Sequence, residues 1–212
     1  SLSENFNGAT VTGALSVPAG WDFNGSANKT GGGRNFVATV DADYSTVNFV
    51  FMIDFTLAGG GGPGIAFFGI GSAAPNASWF GTPADAFWAE GRPGDFDAGD
   101  VQWSTMAGSG TNPPEVTFGT AGDGSHRLKI EKIGTNITLS IDVGANGTFD
   151  GSVTKSLTAD LPFLNNTNSR LFFGTESGNA TFDNLSITVV PEPGSSALSC
   201  LAALSVLRRR RR

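Results

Sequence analysis

Apolar side chains recur at every second position along residues 1–190, and no stretch there keeps helical spacing, so the core must be built from strands. From Val47 to Leu57 the odd positions Val47, Phe49, Phe51, Ile53, Phe55 and Leu57 form one apolar face, with Asn48, Asp54 and Thr56 opposite. The run from His126 to Lys132 sets Leu128 and Ile130 against Arg127, Lys129 and Glu131. Asn136 to Val143 likewise sets Ile137, Leu139, Ile141 and Val143 against Thr138, Ser140 and Asp142. Burial on one side only marks antiparallel strands. Turn clusters separate the runs: Gly31-Gly32-Gly33, Gly59 to Gly62 with Pro63, Gly122-Asp123-Gly124, Gly134-Thr135-Asn136 and Asn146-Gly147. Thirty glycines and 17 Phe against 15% charged residues suit short apolar strands joined by many turns, and disfavour bundles and coiled coils. Many strands without intervening helices close into two packed sheets or a barrel. An all-β, two-sheet antiparallel jelly-roll sandwich is expected over residues 1–190. Its clearest hairpin joins 126–133 to 136–143. In the last strand, Ala180 to Val189, Leu185, Ile187 and Val189 share a face while Phe182 is out of step, which predicts a bulge or a change of facing near Asp183-Asn184. The opening strand, Leu2 to Phe6, is its expected neighbour.

The formal charge is −6, and five of the thirteen basic residues close the chain, so residues 1–190 carry eight basic against eighteen acidic side chains. Such a surface repels phosphate backbones, and no basic stripe interleaved with aromatics is present; nucleic acid is excluded as a partner. The single Cys200 forms no internal disulfide. With His126 as the lone histidine, zinc sites of the His and Cys type, haem and any Ser-His-Asp triad not using His126 are also excluded. His126, opening a strand after Gly124-Ser125, reads as a surface residue.

The C-terminal segment 191–212 has three parts. Pro191-Glu192-Pro193 fixes an extended backbone and stops the preceding strand. Gly194 to Leu207 is a small-residue apolar run that as a helix would reach about 21 Å, short of the roughly 30 Å hydrocarbon core. Arg208, Arg209, Arg210, Arg211 and Arg212 then form a basic stop, whose stems can snorkel and whose charge resists translocation. In this order the residues resemble the PEP-CTERM sorting signal of exported bacterial proteins. The resemblance implies an N-terminal export signal already removed, transient anchoring in the inner membrane by a short apolar helix, and removal of the tail by an exosortase near Pro191-Glu192-Pro193. It further implies a cell-surface or extracellular product in a bacterium that makes exopolysaccharide. Ser195, Ser196, Ser199 and Ser205 make the apolar part unusually polar for that family.

The runs His126-Arg127-Leu128-Lys129-Ile130, Asn136 to Asp142, Leu171-Phe172-Phe173-Gly174 and Phe182 to Ile187 resemble the concanavalin A-like lectin/glucanase fold in its laminin-G-type branch. That fold hosts sugar-binding modules, glycanases and adhesive domains.

Several constellations have a chemical and a bland reading. Asp95-Phe96-Asp97-Ala98-Gly99-Asp100 has carboxylates spaced as in a retaining glycanase, which needs two carboxyls about 5–5.5 Å apart, but Pro93-Gly94 and Ala98-Gly99 make it a loop. It reads first as a solvated acidic turn, then as a calcium loop, and least as a catalytic strand, so no catalytic residue is assigned and no enzyme is expected. Trp79, Trp88 and Trp103 crowd one stretch with Asp95 and Asp97 at hand, a mixture suited to stacking and hydrogen-bonding a sugar, although core packing is the commoner fate of Trp. Asp142, Asn146 and Asp150 set oxygen donors at spacing four, either as a Ca²⁺ loop or as a hairpin tip. Glu4 and Asp183 would meet if the terminal strands pair, resembling the structural Ca²⁺ site near the termini of carbohydrate-binding jelly rolls. The leading expectation is an exported, non-catalytic sandwich that contacts polysaccharide; a glycan-active hydrolase or lyase and a purely structural adhesion or matrix protein are the alternatives.

Overall fold

The structure, a computed structural model, describes residues 1–7, 12–30, 33, 35–41, 43–57, 66–71, 75–76, 82–83, 85–91, 100–106, 116–120, 123–164, 168–175 and 180–191. The strands in chain order are β1 (Leu2–Glu4), β2 (Leu15–Ser16), β3 (Trp21–Asp22), β4 (Ala27–Lys29), β5 (Asn35–Thr39), β6 (Asn48–Leu57), β7 (Ala66–Gly71), β8 (Pro75–Asn76) and β9 (Thr82–Pro83). They continue as β10 (Ala86–Gly91), β11 (Asp100–Met106), β12 (Val116–Thr120), β13 (Gly124–Ile133), β14 (Asn136–Val143), β15 (Gly151–Ser156), β16 (Arg170–Thr175) and β17 (Ala180–Val190). One sheet runs β15-β14-β13-β6-β17-β4-β3, with β1 also on β17; the other runs β12-β11-β10-β7-β16-β5-β2. Every pairing between named strands is antiparallel. The two-sheet sandwich expected from the alternation is what forms.

The alternation dictates which faces meet. Phe49, Phe51, Ile53, Phe55 and Leu57 of β6 are all buried, and Leu128, Ile130, Ile137, Leu139 and Ile141 extend the same face across β13 and β14. The opposing sheet answers with Phe68, Ile70, Phe87, Ala89, Leu171 and Phe173. Rings interlock across the gap: Phe55 meets Phe68 at 4.7 Å between centroids, and Phe182 meets Phe173 at 5.0 Å, within the range where tilted aromatic pairs are favourable.

The hairpin forms as expected, with Ile133 opposite Asn136 and Gly134 at φ 59° supplying the left-handed turn residue. The bulge forms too. In β17 the register against β6 slips between Asp183 and Ser186, and Asn184 takes φ 50°, so Phe182 and Leu185 both reach the core from odd and even positions. The termini close on each other, Leu2 opposite Ile187 and Glu4 opposite Leu185. His126 differs from its surface reading. It is 3% exposed, its ring 5.2 Å from that of Phe55, because position 126 falls in phase with the inward Leu128 and Ile130.

Candidate functional site

The two outer faces of the sandwich are chemically opposite. On the β7-containing sheet, the side chains that alternate away from the core make a second apolar cluster of Ala38, Phe67, Ala86, Trp88 and Phe172, with Phe36 packed beside it. The register explains its shape. Ala38, Phe172, Gly69 and Trp88 lie on one rung; Phe36, Gly174 and Phe67 lie two residues along. Each glycine leaves the space that a neighbouring ring fills. A Cβ at Gly69 would sit 2.4 Å from the Phe87 carbonyl oxygen and 2.8 Å from Phe172 Cζ, and one at Gly174 would sit 2.5 Å from Phe67 Cζ. The rings are tilted against each other, Phe67 to Trp88 at 6.3 Å and 79°, Phe36 to Phe172 at 5.8 Å and 61°.

The outer face of the β6-containing sheet is polar. Asp183, Asp54, Arg127 and Asp142 are neighbours along one rung across β17, β6, β13 and β14. Arg127 grips Asp54 in a bidentate pair, Nε to Oδ1 at 2.6 Å and Nη2 to Oδ2 at 2.9 Å, which raises the guanidinium pKa first through that hydrogen bond. Asn184, turned by the bulge, donates its Nδ2 to Asp54 Oδ2 at 3.0 Å. The next rung holds Thr181, Thr56 and Ser125, with the Thr56 and Ser125 hydroxyls 3.1 Å apart.

The residues singled out from the sequence divide as follows. Trp88 is 1% exposed, its ring packed in the second cluster, so the indole offers no open stacking face. Trp103 lies opposite Ala89, one residue out of phase with Trp88, and only its backbone is described. Trp79, Asp95 and Asp97 lie outside the described residues, as do Glu192, Pro193 and Arg208 to Arg212; Pro191 is exposed at the end of β17. Among the described residues no helix is long and apolar enough to cross a membrane.

Of the two Ca²⁺ sets, one is not brought together and the other is folded into a turn. Glu4 and Asp183 point to opposite faces of their sheet: Glu4 pairs with the core residue Leu185, whereas Asp183 pairs with the outward Asp54. The Glu4 carboxylate is already used, Oε1 accepting from the Phe6 amide at 3.1 Å and Oε2 from the Thr12 amide at 3.0 Å. Asp142, Asn146 and Asp150 do share one turn, but their oxygens accept from its own amides. Asp142 takes Asn146 N at 2.9 Å and Gly147 N at 2.7 Å, Asn146 takes Thr148 N at 2.9 Å, and Asp150 takes Val143 N at 2.8 Å. The spacing of four is that of a turn stapled by its own side chains. No group of three or more His, Cys, Asp or Glu able to hold a metal occurs among the described residues.

The two packed antiparallel sheets share the concanavalin A-like β-sandwich fold of the lectins that they overlay. The chain overlays winged bean acidic lectin, solved with methyl-alpha-D-galactose, with a TM-score of 0.58 at 12% identity, covering 89% of this chain and 98% of the lectin. It overlays the exoplasmic/lumenal domain of VIP36, solved in a Ca²⁺/Man3GlcNAc-bound form, with a TM-score of 0.61 at 10% identity and 92% coverage of both. The GH43 protein BlXynB from Bacillus licheniformis gives 0.61 at 10% identity, with 89% of this chain spanning 39% of that one. No protein-family model matches the chain, and no curated protein matches its sequence.

Proposed function

We propose that this chain is an exported, non-catalytic glycan-contacting sandwich of a bacterial surface or extracellular matrix. The carrying observation is the overlay on lectins that were solved with sugars bound, over nearly the whole length of both chains. An acidic, disulfide-free domain with a dense aromatic complement suits neutral polysaccharide better than nucleic acid. In this reading residues 1–190 are the sandwich and 191–212 the sorting tail, with Pro191-Glu192-Pro193 marking where an exosortase acts and Arg208 to Arg212 holding the tail at the inner membrane beforehand.

Incubating the chain on a glycan array, with and without EDTA, tests the binding. Retention of neutral polysaccharide is expected in both conditions; no retention on any glycan would shift the reading to a structural matrix protein. Fusing residues 191–212 to a secreted reporter in an exosortase-bearing host tests the address, with cleavage and surface delivery expected and an uncut cytosolic reporter against it. The second reading, a glycan-active enzyme, draws on the overlay with the GH43 protein. Release of reducing ends from any retained polysaccharide would favour it.

A further inference from the structure

We infer that the outer face of the β6-containing sheet carries a small saccharide site at the β17 bulge, taking one neutral hexopyranose unit; this rests on the glycan reading and names where on the sandwich the sugar sits. A cavity of about 160 Å³ opens there, lined by Asp54, Thr56, Ser125, Ala145, Thr181, Asp183 and Asn184 together with the Phe55 backbone side of β6. At roughly 30 Å³ per water that is room for about five waters, the scale of one sugar ring's polar edge and not of an extended chain. The bulge shapes one wall: the slip of β17 against β6 between Asp183 and Ser186 turns Asn184 across to Asp54, beside Thr181 to Asp183, which keep their register with Thr56 to Asp54. Ala145, left-handed at φ 49° in the stapled 142–147 turn, forms the opposite wall.

What remains unspent there is the hydrogen-bonding a sugar wants. Asp183 Oδ1 accepts from the Asn184 amide at 2.7 Å, and among the described residues its Oδ2 meets no donor. Asn184 commits its Nδ2 to Asp54, and among the described residues neither its Oδ1 nor the Thr181 hydroxyl, both at the cavity, meets a hydrogen-bond partner. The Thr56 and Ser125 hydroxyls satisfy each other at 3.1 Å and keep one donor and spare lone pairs between them. A planar carboxylate, an amide oxygen and three hydroxyls on residues lining one cavity match the alternating donor and acceptor character of vicinal sugar hydroxyls. A cation is the poorer occupant, because the Asp54 carboxylate is neutralised by Arg127 and a single free carboxylate falls short of the six to eight oxygens that Ca²⁺ takes. Three carboxylates against one guanidinium on the rung also disfavour uronates and sugar phosphates. Among the described lining residues the one aromatic ring, Phe55, is packed in the core, so weak binding, about millimolar, is the expected result.

Titration of the ¹⁵N-labelled full-length chain with D-glucose, D-galactose, D-mannose and D-glucuronate, read by amide shifts, tests the site. At least one neutral hexose is expected to move the amides of Thr56, Ser125, Ala145, Thr181 and Asn184 saturably, with glucuronate weaker. Asp183→Asn is expected to weaken binding about tenfold and Thr181→Val about threefold, each with core amides such as Leu128 unshifted. Glycans retained on the array whose hexose shifts fall only on 66–71 or 170–175 would overturn this site and leave the glycan reading standing. No shift anywhere and no retention would overturn both. Tighter binding of glucuronate would overturn the assignment to neutral sugars.

Discussion

At the scale of single residues, carboxylates here act as backbone staples. Asp142 is fully buried, and both its oxygens accept turn amides, at 2.9 and 2.7 Å. Removing it leaves two donors without their acceptor, and charged-acceptor bonds are worth about 1.5–3 kcal/mol each. Asp142→Ala should therefore lower the unfolding free energy by about 3 kcal/mol, seen as a drop in denaturant midpoint at constant m, while Ca²⁺ leaves the midpoint of the parent chain unmoved. A midpoint raised by Ca²⁺, with shifts at Asn146 and Gly147, would show that the turn does take a cation. Tyr44, the chain's one tyrosine, has its phenol pKa raised from the ordinary 10.0, first by burial and then by the charges of Asp41 and Asp43. Below pH 10 both folded and unfolded chains hold that proton. As pH rises past the ordinary value the unfolded chain loses it first, so stability falls from there through the folded-state pKa. Ultraviolet titration should place the tyrosinate transition above that of the unfolded chain; a Tyr44→Phe variant should lose part of the alkaline destabilisation.

At the scale of elements, what the sequence discloses depends on whether a strand has one buried face or two. β6 and β13 alternate between core and more exposed positions, so these strands and the β13–β14 hairpin with its turn could be read in advance, and Phe182 falling out of step pointed to the bulge. β7 is buried at all six positions, and a strand covered on both sides leaves no period-two signal. That is why Phe67 and Phe68 do not announce opposite clusters, and why Trp88 could be taken for a sugar platform while its ring packs against Phe67. His126 was misplaced for a related reason: its polarity argued for the surface, but its phase put it beside Phe55. Spacing brought Asp142, Asn146 and Asp150 to notice without revealing that backbone amides, at nearer range, had claimed their oxygens. The sequence pointed to the bulge at Asp183-Asn184 but not to the cavity beside it, which needs Ala145 to approach from a segment far away in the chain. The rungs of the aromatic face depend on glycine in the same hidden way. Gly69→Ala and Gly174→Ala each drive a methyl to about 2.4 Å from a backbone carbonyl, which no rotamer change relieves. Each should cost about 3 kcal/mol, the upper end for overpacking, whereas Gly13→Ala, where a Cβ meets nothing within 4 Å, should be close to neutral. Thermal melts of the three variants make the comparison directly; a Gly69→Ala chain melting with the parent would remove the close-packed rung.

At the scale of the whole molecule, the fold is closed by its two ends. β1 contributes three residues, yet they pair with positions 185–187, so the last strand is completed only when the first returns to it. Phe6 follows at φ 53° with its ring 5.6 Å from Phe23 and 5.9 Å from Phe173, held in that left-handed turn by the Glu4 carboxylate. Deleting a fully buried Phe alone costs about 3–5 kcal/mol, and removing β1 also uncovers donors and acceptors along Leu185 to Ile187. Against a total of about 5–15 kcal/mol for an ordinary domain, truncating residues 1–6 should take away about half the stability and favour edge-to-edge association. The restoring variant separates the two contributions. Keeping the backbone but making Phe6→Ala should recover β1 pairing and solubility while leaving the larger share of the stability loss, measured by denaturant midpoint and by sedimentation. If the truncated chain unfolds at the parent's midpoint and stays monomeric, the terminal strand is an ornament and the sandwich is complete without it.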